Sequence, residues 1–141
     1  MRVLFICKYN AGRSRMAEAI FNRISKKNRA ISRGIGANPN AAAAKRGIRG
    51  TATVLKEIGI SIELRPGRAV HKADVKNADK VVVLLDKKQR HILPRYITSS
   101  PKTRYYGVVD SDSRAKDFLD QQRRNRDIAN RYVRSLVKKI G

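Results

Sequence analysis

The residues best suited to chemistry in this sequence stand close together near its start. Cys7 and Arg13 are separated by Lys8, Tyr9, Asn10, Ala11 and Gly12, and Ser14 follows. A thiolate is a strong nucleophile, and a guanidinium offers a planar fork of donors that matches phosphate oxygens. A loop of this length, curled around an anion, brings the guanidinium beside the sulfur. Gly12 allows a backbone conformation or approach that a side chain would forbid. The short amide of Asn10 can brace the curl from inside, and the Ser14 hydroxyl can donate to a thiolate or cap a helix. The backbone amides of Lys8 to Arg13 complete the candidate phosphate-binding set. A lone cysteine is more often a small apolar residue ending a strand, but that reading leaves Arg13 and Ser14 without a role.

The surrounding pattern places the loop where such chemistry is usually found. Arg2 to Ile6 is an apolar run of strand length, and Cys7 to Gly12 is the loop that follows. From Arg13 to Lys26 the apolar residues Met16, Ala17, Ile20 and Ile24 recur at helical steps. Strand, tight loop and helix follow in order, so Cys7 sits at a strand's carboxyl end and before a helix N-terminus. Unpaired N–H groups and the positive end of the helix dipole make an anion site there, and the same field favours a thiolate. Ala30 to Ser32 is a short second strand; Gly34 to Gly50, with Asn38-Pro39-Asn40 and four alanines, is loop with at most a helical turn. Thr51 to Ile58 is predicted as a helix stopped by Gly59. Ile60 to Gly67 is irregular, Asp74 to Ala78 a helical turn, and Lys80 to Leu85 a buried strand. Lys87 to Leu93 is helical up to Pro94, and Thr103 to Val109 is a further strand. Asp110 to Ser113 is a loop, and a long helix runs from Ala115 to Ile140. Alternation of this kind implies an α/β fold with a mainly parallel sheet, in which ligands bind beyond the strands' carboxyl ends.

Composition bounds the partners and the compartment. The 141 residues suit a single domain spanning 1–141. No apolar run approaches a membrane span, and Val3 to Ile6 is too short for a secretory leader, so a cytoplasmic location without membrane contact is expected. The single cysteine allows no internal disulfide. His71 and His91 lack ligand-like spacing, so neither a metal nor another cofactor is expected. The 33 Lys and Arg against 11 Asp and Glu give a formal charge of +22. The cations are scattered and belong to no nucleic-acid motif. A solvated basic surface follows, with weak, non-specific nucleic-acid binding as its by-product.

Val3 to Cys7 together with Arg13-Ser14-Arg15-Met16-Ala17-Glu18-Ala19-Ile20-Phe21 resembles the low-molecular-weight protein tyrosine phosphatases and the arsenate reductases related to them. The likeness is strong over 2–24 and fainter over Ser32-Arg33-Gly34, Leu55 to Ile60, Ala78 to Leu85 and Val108 to Phe118. It implies a three-layer α/β fold, a four-stranded mainly parallel sheet flanked by helices. It also implies hydrolysis of a phosphomonoester, protein phosphotyrosine or a smaller substrate, through a phosphocysteine at Cys7. Arg13 and the amides of Lys8 to Arg13 would hold the phosphoryl oxygens, with Ser14 beside them. An aspartate on the late loop, Asp110 or Asp112, would protonate the leaving oxygen. Asp110, which directly follows the apolar Tyr105 to Val109 stretch, is the favoured acid; Asp112, before the final helix, is the alternative, at a place where a carboxylate more often caps a helix than transfers a proton.

The sequence departs from the family in places. The acid loop reads Asp110-Ser111-Asp112-Ser113, where the phosphatases usually carry Asp-Pro and aromatic residues. Gly12 stands where they often have a second cysteine, and Ser32-Arg33-Gly34 where Ser-Ala-Gly is usual. Two other functions compete. An arsenate reductase would need an external thiol, because this chain has no further cysteine to shuttle a disulfide. A phosphate- or nucleic-acid-binding module would use the loop's grip and the positive surface, but would not need a thiolate beside the arginine.

Overall fold

A computed structural model describes residues 1–38 and 40–141; Pro39, predicted as loop, lies outside the described residues. Four strands form one sheet: β1 (Arg2–Cys7), β2 (Arg29–Gly34), β3 (Lys80–Val83) and β4 (Thr103–Tyr105). Their order is β2-β1-β3-β4 and every pairing is parallel. β1 is central, so both its faces are covered and its residues from Val3 to Cys7 are buried, which explains an apolar run without alternation. Successive side chains still point to opposite faces. Val3 and Phe5 join a core with α1 (Arg13–Ile24) and α5 (Phe118–Ile140), through Met16, Ile20, Phe21, Val133 and Leu136. Leu4 and Ile6 face Val75 of α3 (Lys72–Asn77) and Ile97 of α4 (Arg95–Thr98). The result is the expected three layers, with helices on both sides of a sheet that is wholly parallel. Phe5 and Phe21 meet edge to face, 6.0 Å between centroids, both fully buried; burial of this kind is worth about 1.5–3 kcal/mol per large side chain. Among the described residues no helix is long and apolar enough to cross a membrane.

Several element boundaries differ from expectation. The helix predicted from Thr51 starts much earlier: α2 runs Ala42–Lys56 and contains Gly47 and Gly50. Inside a helix each glycine costs about 1 kcal/mol relative to alanine, but here they allow close packing. A Cβ on Gly47 would lie 3.2 Å from Ala11 Cβ, and one on Gly50 would lie 2.8 Å from the Phe118 ring. α3 begins before Asp74 because His71 and Asp74 form a capping box at its start. β2 is longer than Ala30 to Ser32, and α1 ends at Ile24 rather than Lys26. Lys87–Ile92 coils as a 3₁₀ helix, and β3 ends at Val83 although Leu84 and Leu85 remain buried.

The fourth strand stops at Tyr105 instead of Val109. Two backbone bonds nevertheless continue the ladder, Tyr106 to the Val83 carbonyl and Val108 to the Leu84 carbonyl. The extended chain therefore delivers residues 108–110 to the sheet's carboxyl edge. α5 begins at Phe118 rather than Ala115, because residues 113–117 are spent in turns.

Candidate active site

The loop between β1 and α1 is built from buried polar contacts. Asn10 has φ +54°, a left-handed conformation that asparagine accepts better than most residues. Its side chain, fully buried, accepts from the Arg68 amide at 3.0 Å and donates to the hydroxyls of Ser14 at 2.8 Å and Ser32 at 2.9 Å. Because the Ser14 oxygen already accepts from Asn10, its own hydrogen is free for the Cys7 sulfur, 2.9 Å away. Ser14 therefore faces the sulfur and caps nothing. Gly12 is the cap residue of α1, with no side-chain cap and no acidic residue in the first turn. The helix N-terminus keeps its free N–H groups and positive field for a ligand.

The glycine requirement of the loop falls elsewhere than expected. Gly12 has negative φ (−125°), and a Cβ there would make only ordinary contacts, the nearest at 3.5 Å. At Gly34, by contrast, a Cβ would stand 2.8 Å from the Lys8 carbonyl oxygen and 2.9 Å from the Asn10 nitrogen. Gly67 is pressed as closely on the carbonyl oxygen of Tyr9. Ser32-Arg33-Gly34 thus serves as a backing for the loop, with Ser32 holding Asn10 and Gly34 leaving room for the main chain.

Arg13 is 4% exposed. Its Nη1 donates to Gln89 Oε1 and to the Val108 carbonyl, both at 2.9 Å, and Nη2 lies 3.5 Å from Asp110 Oδ1. These acceptors occupy Nη1 and one side of Nη2, which leaves the Nε edge of the fork for an oxyanion. Gln89 also approaches Asp110 Oδ2 with its Nε2, at 3.5 Å. This glutamine, from the 3₁₀ helix after β3, touches both the arginine and the acid candidate and was missed in the sequence. Its only signal there was a polar residue just beyond a strand's carboxyl end.

Cys7, Tyr9, Ala11, Gly12, Arg13, Asp110 and Asp112 line one cleft of about 400 Å³, together with Ala41, Ala44, Gly47, Phe118 and Gln122. Lys8 is turned aside, its ammonium 5.0 Å from the centre of the Tyr9 ring, while Asn10 and Ser14 act from beneath. The two acid candidates differ. Asp110 is the one in contact with Arg13, and its side chain remains 39% exposed. Asp112 is exposed; its carboxylate accepts from the Arg114 amide at 2.9 Å and its own amide donates to Gln121 at 2.8 Å. Asp112 thus closes a turn, and since α5 starts at Phe118 it does not cap that helix.

Nearby, Arg15 is buried and gives its guanidinium to the carbonyls of Arg65 at 2.9 Å and Glu63 at 2.8 Å. Burial, aided by Arg65, lowers its pKa to about 10. It anchors the 60–67 connection whose end supports the loop at Gly67.

The sequence model of the family described as low molecular weight phosphotyrosine protein phosphatase matches residues 2–137. No curated protein sequence matches the chain. Among solved structures, a low molecular weight protein tyrosine phosphatase from T. tengcongensis is 27% identical, with 99% of each chain covered and a TM-score of 0.75. The YwlE arginine phosphatase from Geobacillus stearothermophilus is 24% identical, covering 99% of this chain and 92% of its own, at a TM-score of 0.74. An arsenate reductase from Archaeoglobus fulgidus is 23% identical over 96% of this chain and 98% of its own, also at 0.74. With a match that takes in β1, the Cys7–Arg13 loop, all four strands and most of α5, the chain belongs to the low molecular weight phosphotyrosine protein phosphatase family.

Proposed function

We propose that this protein is a cysteine-dependent phosphatase that hydrolyses phosphomonoesters, with protein phosphotyrosine as the favoured class, through a phosphocysteine at Cys7. The observation that supports this reading best is the convergence on one cleft of the Cys7 sulfur, the Arg13 fork and the Asp110 carboxyl. In the first step the sulfur attacks phosphorus while Asp110 gives its proton to the leaving oxygen. Arg13 and the amides of Lys8 to Arg13 stabilise the charge spread over the equatorial oxygens. In the second step water attacks the phosphocysteine, Asp110 takes a proton, and phosphate leaves.

The apolar walls provided by Phe118 and the alanines of α2 suit an aromatic ester, and Tyr9, 39% exposed, stands at the rim. The structural neighbours named for phosphoarginine and arsenate chemistry supply the rival substrates. Arsenate reduction by this chain would require an external thiol, as Cys7 is its sole cysteine. The test is a panel of phosphotyrosine peptide, phosphoarginine, a generic aryl phosphate and arsenate with a thiol reductant. Release of phosphate from the phosphotyrosine peptide, abolished in Cys7→Ser while vanadate still binds, is the expected result. Thiol-dependent arsenate turnover without ester hydrolysis overturns it.

A further inference from the structure

We infer that Gln122 orients the water that hydrolyses phosphorylated Cys7, a role that rests on the phosphatase reading above. Gln122 projects from α5 into the wall of the cleft and is 1% exposed. Its Nε2 donates to the Gly47 carbonyl at 3.2 Å and lies 3.4 Å from the Thr51 hydroxyl oxygen. The Thr51 hydrogen is committed to the Ala11 carbonyl at 2.8 Å. Both neighbours of the amide on that side are acceptors, so its sense is fixed: nitrogen toward α2, oxygen toward the phosphate loop. There Gln122 Oε1 is the atom nearest to the place a Cβ on Gly12 would occupy, at 3.5 Å. Among the described residues it accepts no hydrogen bond. A carbonyl oxygen this deeply buried is costly without a donor, and a molecule held in the cleft can supply one.

Most species that visit the cleft cannot. The phosphoryl oxygens and the ester oxygen of the substrate are acceptors, and both are repelled by Oε1. Water has two hydrogens to give, and the second chemical step requires it. Its oxygen attacks phosphorus, the S–P bond breaks, and the electron pair returns to the Cys7 sulfur as thiolate. One proton passes to the Asp110 carboxylate, left ionised by the first step. The other hydrogen, held by Gln122 Oε1, stays on the oxygen and departs in inorganic phosphate. Two acceptors thereby fix the orientation of one nucleophile. An alcohol attacking in place of water has a single hydroxyl hydrogen, which goes to Asp110, so it gains nothing from Gln122.

That difference supplies the experiment. An aryl phosphate is turned over in the presence of methanol, and methyl phosphate and inorganic phosphate are measured for the wild type, Gln122→Met and Gln122→Leu. Both variants keep an apolar side chain of similar bulk and remove the amide oxygen. The loss of one hydrogen bond to water is expected to raise the ratio of methyl phosphate to phosphate by roughly five- to tenfold, with the initial burst of phenol retained. The product ratio belongs to the molecules that turn over, so partial misfolding does not alter it. A ratio unchanged in both variants overturns the inference, as does an equal loss of both products. A wild-type enzyme that makes neither product defeats the phosphatase reading instead.

Discussion

Gly34→Ala should damage the site without touching any group in the cleft. The new Cβ would meet three main-chain atoms of the loop, the Lys8 carbonyl oxygen at 2.8 Å and the Asn10 nitrogen and Tyr9 carbonyl carbon at 2.9 Å each. None is the movable end of a side chain. Gly34 cannot retreat, because β2 is paired to β1 and its amide and carbonyl are bonded to Arg68 and Val70 at 2.8 and 3.0 Å. The loop has to give way by about half an ångström, and overpacking of this kind costs about 1–3 kcal/mol. For a chain of this length that is a fall in Tm of roughly 4–12 °C. A misplacement of about 1 Å can cost a hundredfold in rate, so a shift of half that size should lower kcat/KM for an aryl phosphate about tenfold. Gly36→Ala is the control, since its Cβ would approach only the Lys8 carbonyl oxygen, at 3.9 Å. Thermal melts and steady-state kinetics on both variants decide the matter. If Gly34→Ala melts and turns over like Gly36→Ala, the contact of strand and loop is not what demands glycine.

Asp110→Asn should slow turnover of a poor leaving group by about a hundred- to ten-thousandfold and of a good one much less. Asp112→Asn, which weakens only a turn, should leave that dependence intact; the reverse pattern would exchange their roles. The scattered cations should hold the protein weakly on nucleic acid regardless of sequence, with steep loss as salt rises, and binding that persists in high salt contradicts this. Glu57 accepts from Arg123 at 2.9 Å and Arg126 at 2.7 Å. These bonds, Arg123's first, hold its carboxyl below the usual range. The folded value is the lower one, so the stabilisation is complete above the ordinary carboxylate range and fades as pH falls through the lowered value. Glu57→Gln should therefore lower Tm slightly at neutral pH and by less in acid, and salt should shrink the difference because the pair is exposed; an effect that grows in acid would reverse the sign of the argument.

What the sequence made legible was what is local. A strand, a loop and a helix in direct succession identified Cys7, Arg13 and Ser14 as one unit, and the apolar runs located β1 and β3. Where tertiary packing sets the rule, the reading went astray. Gly47 and Gly50 look like helix breakers until Ala11 and Phe118 are seen against them, and α2 therefore extends well before the Thr51 start that the sequence predicts. Tyr106 and Val109 favour strands, yet both are exposed, and only two backbone bonds carry the ladder past Tyr105. Gln89 meets Arg13 from 76 positions further along, and Gln122 meets Gly47 from 75 further along, and no spacing along the chain announces such partners.

The loop's buried contacts have a consequence for the order in which the molecule assembles. Asn10 depends on Ser32 and on the Arg68 amide, Ala11 on Thr51, and Arg13 on Gln89 and on the Val108 carbonyl. Every one of these partners is distant in sequence, and the entropy of closing such long loops is met only when the strands have come together. The curl around the anion should thus be among the last features to form on refolding and among the first to open in local unfolding. An oxyanion that binds only the finished curl would then draw the whole chain toward its native state by mass action, and recovery of activity would trail the return of the helical signal.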